Sequence, residues 1–95
     1  MIVRISGTGQ FELDDTAVRR LDELDTALTD AYAANDDAQF RACLGETITF
    51  IRETGTPVPD EQVVPSEVIV PAEDSGLEDA RDYMSDEGLM QPLEA

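Results

Sequence analysis

Twenty-two Asp and Glu, six basic residues and one Cys make up most of the chain's chemical potential. Every basic residue is an arginine (Arg4, Arg19, Arg20, Arg41, Arg52 and Arg81), and there is no His. Nucleophilic machinery built on a Ser-His or Cys-His pair is therefore excluded. A Schiff-base lysine, a Ser-Lys dyad and a phosphate-loop lysine are excluded with it. A single Cys makes neither an intramolecular disulfide nor a cysteine zinc site. What remains is carboxylate chemistry. The densest runs are Asp14-Asp15, Asp22-Glu23-Asp25 and Asn35-Asp36-Asp37. None has the twelve-residue spacing, with Gly at position six, of a calcium loop. General acid/base work by paired carboxylates needs a cleft around a substrate, and nothing in so small a chain signals one. Gly7-Thr8-Gly9 lacks the third glycine of a phosphate-binding loop, since position 12 is Glu, so it reads as a turn. Cys43 lies among acids rather than cations and reads as a small buried hydrophobe. The expectation is a non-enzyme without metal or cofactor.

The elements that would position any site come next. Ninety-five residues make a single domain, 1–95. Residues 1–13 read as a β-hairpin. Ile2-Val3-Arg4-Ile5 and Gln10-Phe11-Glu12-Leu13 flank the glycine turn, with Val3, Ile5, Phe11 and Leu13 on one face. Residues 14–54 read as a helical hairpin. Asp14 or Asp15 caps a first helix to about Ala34, whose apolar positions Ala17, Leu21, Leu24, Leu28 and Ala31 follow a four-three spacing. Asn35 ends it in a left-handed conformation, and Asp36 caps a second helix to about Thr54. Phe40, Leu44, Thr47, Ile48 and Ile51 line one face of that helix, with Cys43 and Phe50 alongside, and Gly55 at C′ with Pro57 two residues later marks its stop. Residues 56–71 carry four prolines and exclude helix, leaving Val68-Ile69-Val70 as a short strand. Residues 75–95 read as a short helix opened by a Ser75-x-x-Glu78 capping box, with Tyr83 and Met84 on it, then a turn and tail. The order β-β-α-α-β-α predicts an α+β fold: a small antiparallel sheet, made of the hairpin and one later strand, covered by an antiparallel helical hairpin.

The net charge of −16 repels nucleic acid and anionic headgroups and favours a cationic partner. No apolar run approaches the roughly 20 residues of a membrane span, and the start has no leader pattern, so a cytoplasmic protein without direct membrane insertion is expected. The acid excess fits either a halophilic cytoplasm or a high-GC genome, which favours Arg over Lys; the halophilic reading is preferred. Two surfaces suit protein contact. One is the polar side of the first helix, with Arg19, Arg20 and Glu23. The other is Val68, Ile69 and Val70, which could present a strand edge for β-augmentation. A homodimer through either the strand edge or the helix stripe stays open.

Three segments carry a family resemblance: Met1-Ile2-Val3-Arg4-Ile5-Ser6-Gly7-Thr8-Gly9-Gln10-Phe11, then Gly55-Thr56-Pro57-Val58-Pro59-Asp60 with Val64-Pro65-Ser66-Glu67, then Ser85-Asp86-Glu87-Gly88-Leu89. Together they resemble the PspA-associated family (PspAA), small proteins of actinobacteria and archaea. The likeness covers nearly the whole chain, and its motifs are structural rather than catalytic. It implies a partner of the phage-shock protein A type, an ESCRT-III-like coiled-coil protein of the envelope-stress response. It also implies a non-catalytic adaptor or regulator, recruited to the inner membrane surface by that partner. The alternative is a small-ligand- or cation-binding regulatory domain.

Overall fold

Two glycines turn the chain back on itself after its first strand. In the computed structural model, which describes residues 1–59, 65–66 and 68–80, β1 (Ile2–Ile5) and β2 (Gly9–Glu12) pair antiparallel with Val3 opposite Phe11. Gly7 and Gly9 take φ of 81° and 137°, a region that side chains other than glycine's seldom enter. Val3, Ile5 and Leu13 are buried on one face, and Phe11 packs half-buried beside them.

The helices follow their sequence signals closely. The Asp14 carboxylate accepts from Ala17 N–H at 2.8 Å and caps α1 (Asp15–Ala33). The buried side of α1 comprises Ala17, Leu21, Leu24, Leu28 and Ala31, together with Asp25. Asp25 thus departs from the solvated acidic run in which the sequence places it. Asn35 has φ 57°, the left-handed stop. The Asp36 carboxylate then caps α2 (Asp37–Thr54) by accepting from Gln39 N–H at 3.1 Å. Phe40, Cys43, Leu44, Thr47, Ile48 and Ile51 are its buried residues. The Thr47 hydroxyl donates to the Cys43 carbonyl at 2.8 Å, which satisfies a polar group inside the core.

Gly55 ends α2, but in extended backbone (φ −76°, ψ 157°) rather than left-handed. The reason for glycine is space. A Cβ there would lie 2.7 Å from the Ile51 carbonyl oxygen, 2.9 Å from Phe11 Cβ and 3.1 Å from Leu13 Cδ2. The chain therefore passes from helix to strand pressed against β2.

The sheet has four strands, ordered β3-β2-β1-β4, where β3 is Thr56–Pro57 and β4 is Val68–Val70. It is mixed where the sequence reading expects an antiparallel one: β3 pairs antiparallel with β2, and β4 pairs parallel with β1, Val3 opposite Val68. The cause is topological. Since β3 opposes β2, it runs in the direction of β1, and β4 runs the same way on the opposite edge. β3 and β4 thus lie on opposite edges and run the same way, an arrangement that no tight turn can join. Gln10 lies on the face away from the helices, and its side-chain amide donates to Ser66 Oγ at 2.7 Å, which places Ser66 over that face. Val68 and Val70 complete the core against the helices.

The short helix α3 (Leu77–Ala80) starts one residue later than a cap at Ser75 would give. Ser75 is buried, and Gly76 N–H donates to the Asp79 carboxylate at 3.2 Å. The Asp79 carboxylate thus reaches back to the backbone at the helix start, the half of a capping box that needs no side chain on Gly76. Tyr83, Met84, the predicted turn over 85–90 and the tail lie outside the described residues.

Candidate functional site: a groove on the helical hairpin

The tight connection at Asn35 sets α1 and α2 antiparallel, so positions about equally far from it face each other. Leu24 then meets the level of Gly45, and Arg20 that of Phe50. At this level the seam opens outward into a groove of about 420 Å³, lined by Arg20 and Leu24 from α1 and by Gly45, Glu46, Thr49, Phe50 and Glu53 from α2. Leu24 is nearly buried and Phe50 half-buried, giving an apolar floor. The Arg20 guanidinium is held by Glu23 at 2.9 Å, an exposed i,i+3 pair. Glu46 and Glu53 make no ion pair among the described residues.

The sequence-predicted contact residues divide. Arg20 lines the groove, and Glu23 sets its position. Arg19 is exposed, but one step round the helix, and does not line it. Val68 and Val70 are buried at 4% and 0%, so their side chains belong to the core and are not presented to a partner. Ile69 stands out as exposed, at 46%, on an edge strand. The sequence reading missed Gly45, Glu46, Thr49 and Glu53. The available signal was Gly45, an isolated glycine inside a strongly helical pattern.

A second polar cluster joins α2 to α3. The Asp37 carboxylate accepts from Arg41 Nε at 2.8 Å and from Leu77 N–H at 3.1 Å. The Arg41 bond, and after it the Leu77 bond, holds the Asp37 carboxyl below the usual carboxylate range. Gly76 fits because a Cβ would meet the Arg41 guanidinium and Asp37 Oδ1. A depressed folded pKa means that the contribution is complete above the ordinary carboxylate range and lost as pH falls through the folded value. Asp37→Asn is expected to raise amide exchange at Leu77 and Ala80 several-fold at neutral pH, with the central strands and α1 unchanged. Acidifying the wild type through the Asp37 titration should likewise lower the protection of both amides, judged against the slower intrinsic exchange in acid. Unaltered exchange at both amides would show that the cluster does not hold α3.

Among the described residues no three His, Cys, Asp or Glu side chains come together as a metal site. No helix among them is long and apolar enough to cross a membrane. Neither the curated proteins nor the solved structures offered a match to the chain. A family model described as PspA-Associated protein (PspAA) does match, over residues 1–92. That span takes in the hairpin, both long helices, the groove between them, β4 and the α3 cluster, and the chain belongs to the PspA-associated protein family.

Proposed function

We propose that the chain is a non-catalytic cytoplasmic adaptor that binds a PspA-type protein and regulates that partner's action at the membrane. The observation that carries this reading is the family match across residues 1–92, whose description ties its members to PspA. The residue inventory supports it: with neither His nor Lys, the chain lacks the residues of the common nucleophilic machineries, which agrees with work by contact. The charge supports it as well. The resemblance implies a partner with long helices carrying basic stretches, and a domain at −16 attracts such helices over several ångströms.

The test is co-purification of the full chain with the PspA-type protein of the same organism, at several salt concentrations. A one-to-one or fixed-ratio complex is expected, weakening steadily as salt rises. Absence of any complex at low and native ionic strength would refute the adaptor reading. Retention that strengthens with salt would remove charge as its driving force.

A further inference from the structure

We propose that the groove between α1 and α2 seats one large apolar side chain of a basic partner helix over Gly45, with arginines or lysines of that helix meeting Glu46 and Glu53. The inference rests on the adaptor reading and names the surface used. It is carried by the way Gly45 is placed. A glycine inside a helix costs about 1 kcal/mol relative to alanine. Two reasons can justify that cost structurally, a positive φ or a close approach, and neither applies: Gly45 lies inside α2, and a Cβ there would meet nothing within 4 Å. The missing side chain leaves open space above Leu24 and Phe50, which is what an incoming side chain requires.

Charge identifies the occupant. Glu46 and Glu53 stand seven residues apart on one helix, roughly 10.5 Å along its axis. The carboxylates therefore stand about two turns apart, Glu46 next to Gly45 and Glu53 beyond Phe50. Arg20 does not oppose a cation there, since Glu23 neutralises it at 2.9 Å. A helix lying along α2 satisfies this surface when it carries an apolar residue level with Gly45 and basic residues, seven apart, within reach of Glu46 and Glu53. Arginine suits the carboxylates best, because its planar fork bonds them bidentately. A second copy of this chain is the wrong occupant. It would bring another −16, and its arginines are few, with Arg20, Arg41 and Arg52 already ion-paired.

The experiment titrates the full chain against the full-length PspA-type protein of the same organism. Gly45→Leu fills the groove with a good helix former and is expected to keep or raise the melting temperature while weakening binding by at least about tenfold. Glu46→Gln with Glu53→Gln leaves the groove open and is expected to weaken binding by about fivefold and to flatten its salt dependence. Binding within about twofold of wild type for both variants would overturn the inference while leaving the adaptor reading intact. No binding by the wild type would instead remove the adaptor reading itself. Two further results would also overturn the groove assignment. One is loss of binding on Ile69→Arg with none on Gly45→Leu, which would move the interface to the β4 edge. The other is a wild-type dimer that Gly45→Leu converts to monomer, which would make the occupant a second copy.

Discussion

Replacing Phe40 by Ala is expected to remove about 3–5 kcal/mol of stability, a large share of what a domain of this size possesses. Phe40 is fully buried in the first turns of α2, beside the connection that folds α2 back on α1. Its ring meets that of Tyr32 at 6.2 Å between centroids, tilted by 54°, a favourable aromatic geometry. Truncation loses the transfer of the ring from water and leaves a cavity. The site has little capacity to collapse. The Asp36 cap fixes α2 on one side, and the Asn35 conformation fixes the approach of α1 on the other. Phe40→Leu, which keeps most of the volume, is expected to cost less than half as much. Urea denaturation in constant molar salt checks both, with the midpoint falling and the slope unchanged. A loss below about 1 kcal/mol for Phe40→Ala would mean that the hairpin is not anchored at its turn.

Stability is also expected to fall steeply as salt is withdrawn, with the melting temperature lower by about 10 °C or more in 10 mM than in 1 M sodium chloride. A chain of this length folds to a radius of gyration of roughly 13 Å. The screening length is about 3 Å at 1 M and 30 Å at 0.01 M, so in dilute buffer every charge acts on every other. Two like charges about 20 Å apart repel by roughly 0.2 kcal/mol in water, and a net charge of −16 contains many such pairs. The three ion pairs among the described residues do little against this, being largely exposed. Screening and solute exclusion separate by their concentration dependence. Screening is largely complete by about 0.3 M, whereas exclusion continues to act into the molar range. A melting temperature that changes by less than about 2 °C across the series would show that the carboxylates are spread too widely for mutual repulsion to matter. It would also remove the halophilic explanation of the composition.

What the sequence disclosed was what its residues settle locally. Asp14, Asn35 and Asp36 mark helix ends because each acts on backbone groups two or three residues away, and all three do so here. The four-three spacing of α1 gives its buried face because 3.6 residues make a turn. The same periodicity is silent on pairing. It marks Val68–Val70 as a strand, but not that its neighbour is β1 or that the two run parallel. The two residues of β3 show no period at all, and Pro57 argues against a strand except at an edge, which is where it lies. Gly55 does end α2, but for a reason that the sequence does not show. A glycine after a helix usually supplies a left-handed turn, whereas here the neighbouring β2 side chains exclude a Cβ. Asp25 is buried because it sits beside Leu24 and Leu28 on the inward arc, and composition describes acids only in bulk. The groove was half legible: Arg20 and Glu23 were noticed as polar contacts, but a groove is an absence of atoms between two helices, marked in the sequence only by Gly45.

The strand order has a consequence for how the chain comes into being. β1 is made first and sits inside the sheet, with β2 on one side and β4 on the other. Val3 waits for Val68, sixty-five positions behind it in synthesis. Everything up to the end of α2 can gather through near-neighbour contacts while the chain is still emerging, but one flank of β1 stays raw until Val68–Val70 has emerged. The β1–β4 pairing closes the longest loop among the sheet's strand pairs, the kind of contact that slows folding. During that interval the nascent protein carries an unfinished edge. Its heavy negative charge is well suited to keep two such edges, on neighbouring ribosomes, from finding each other first.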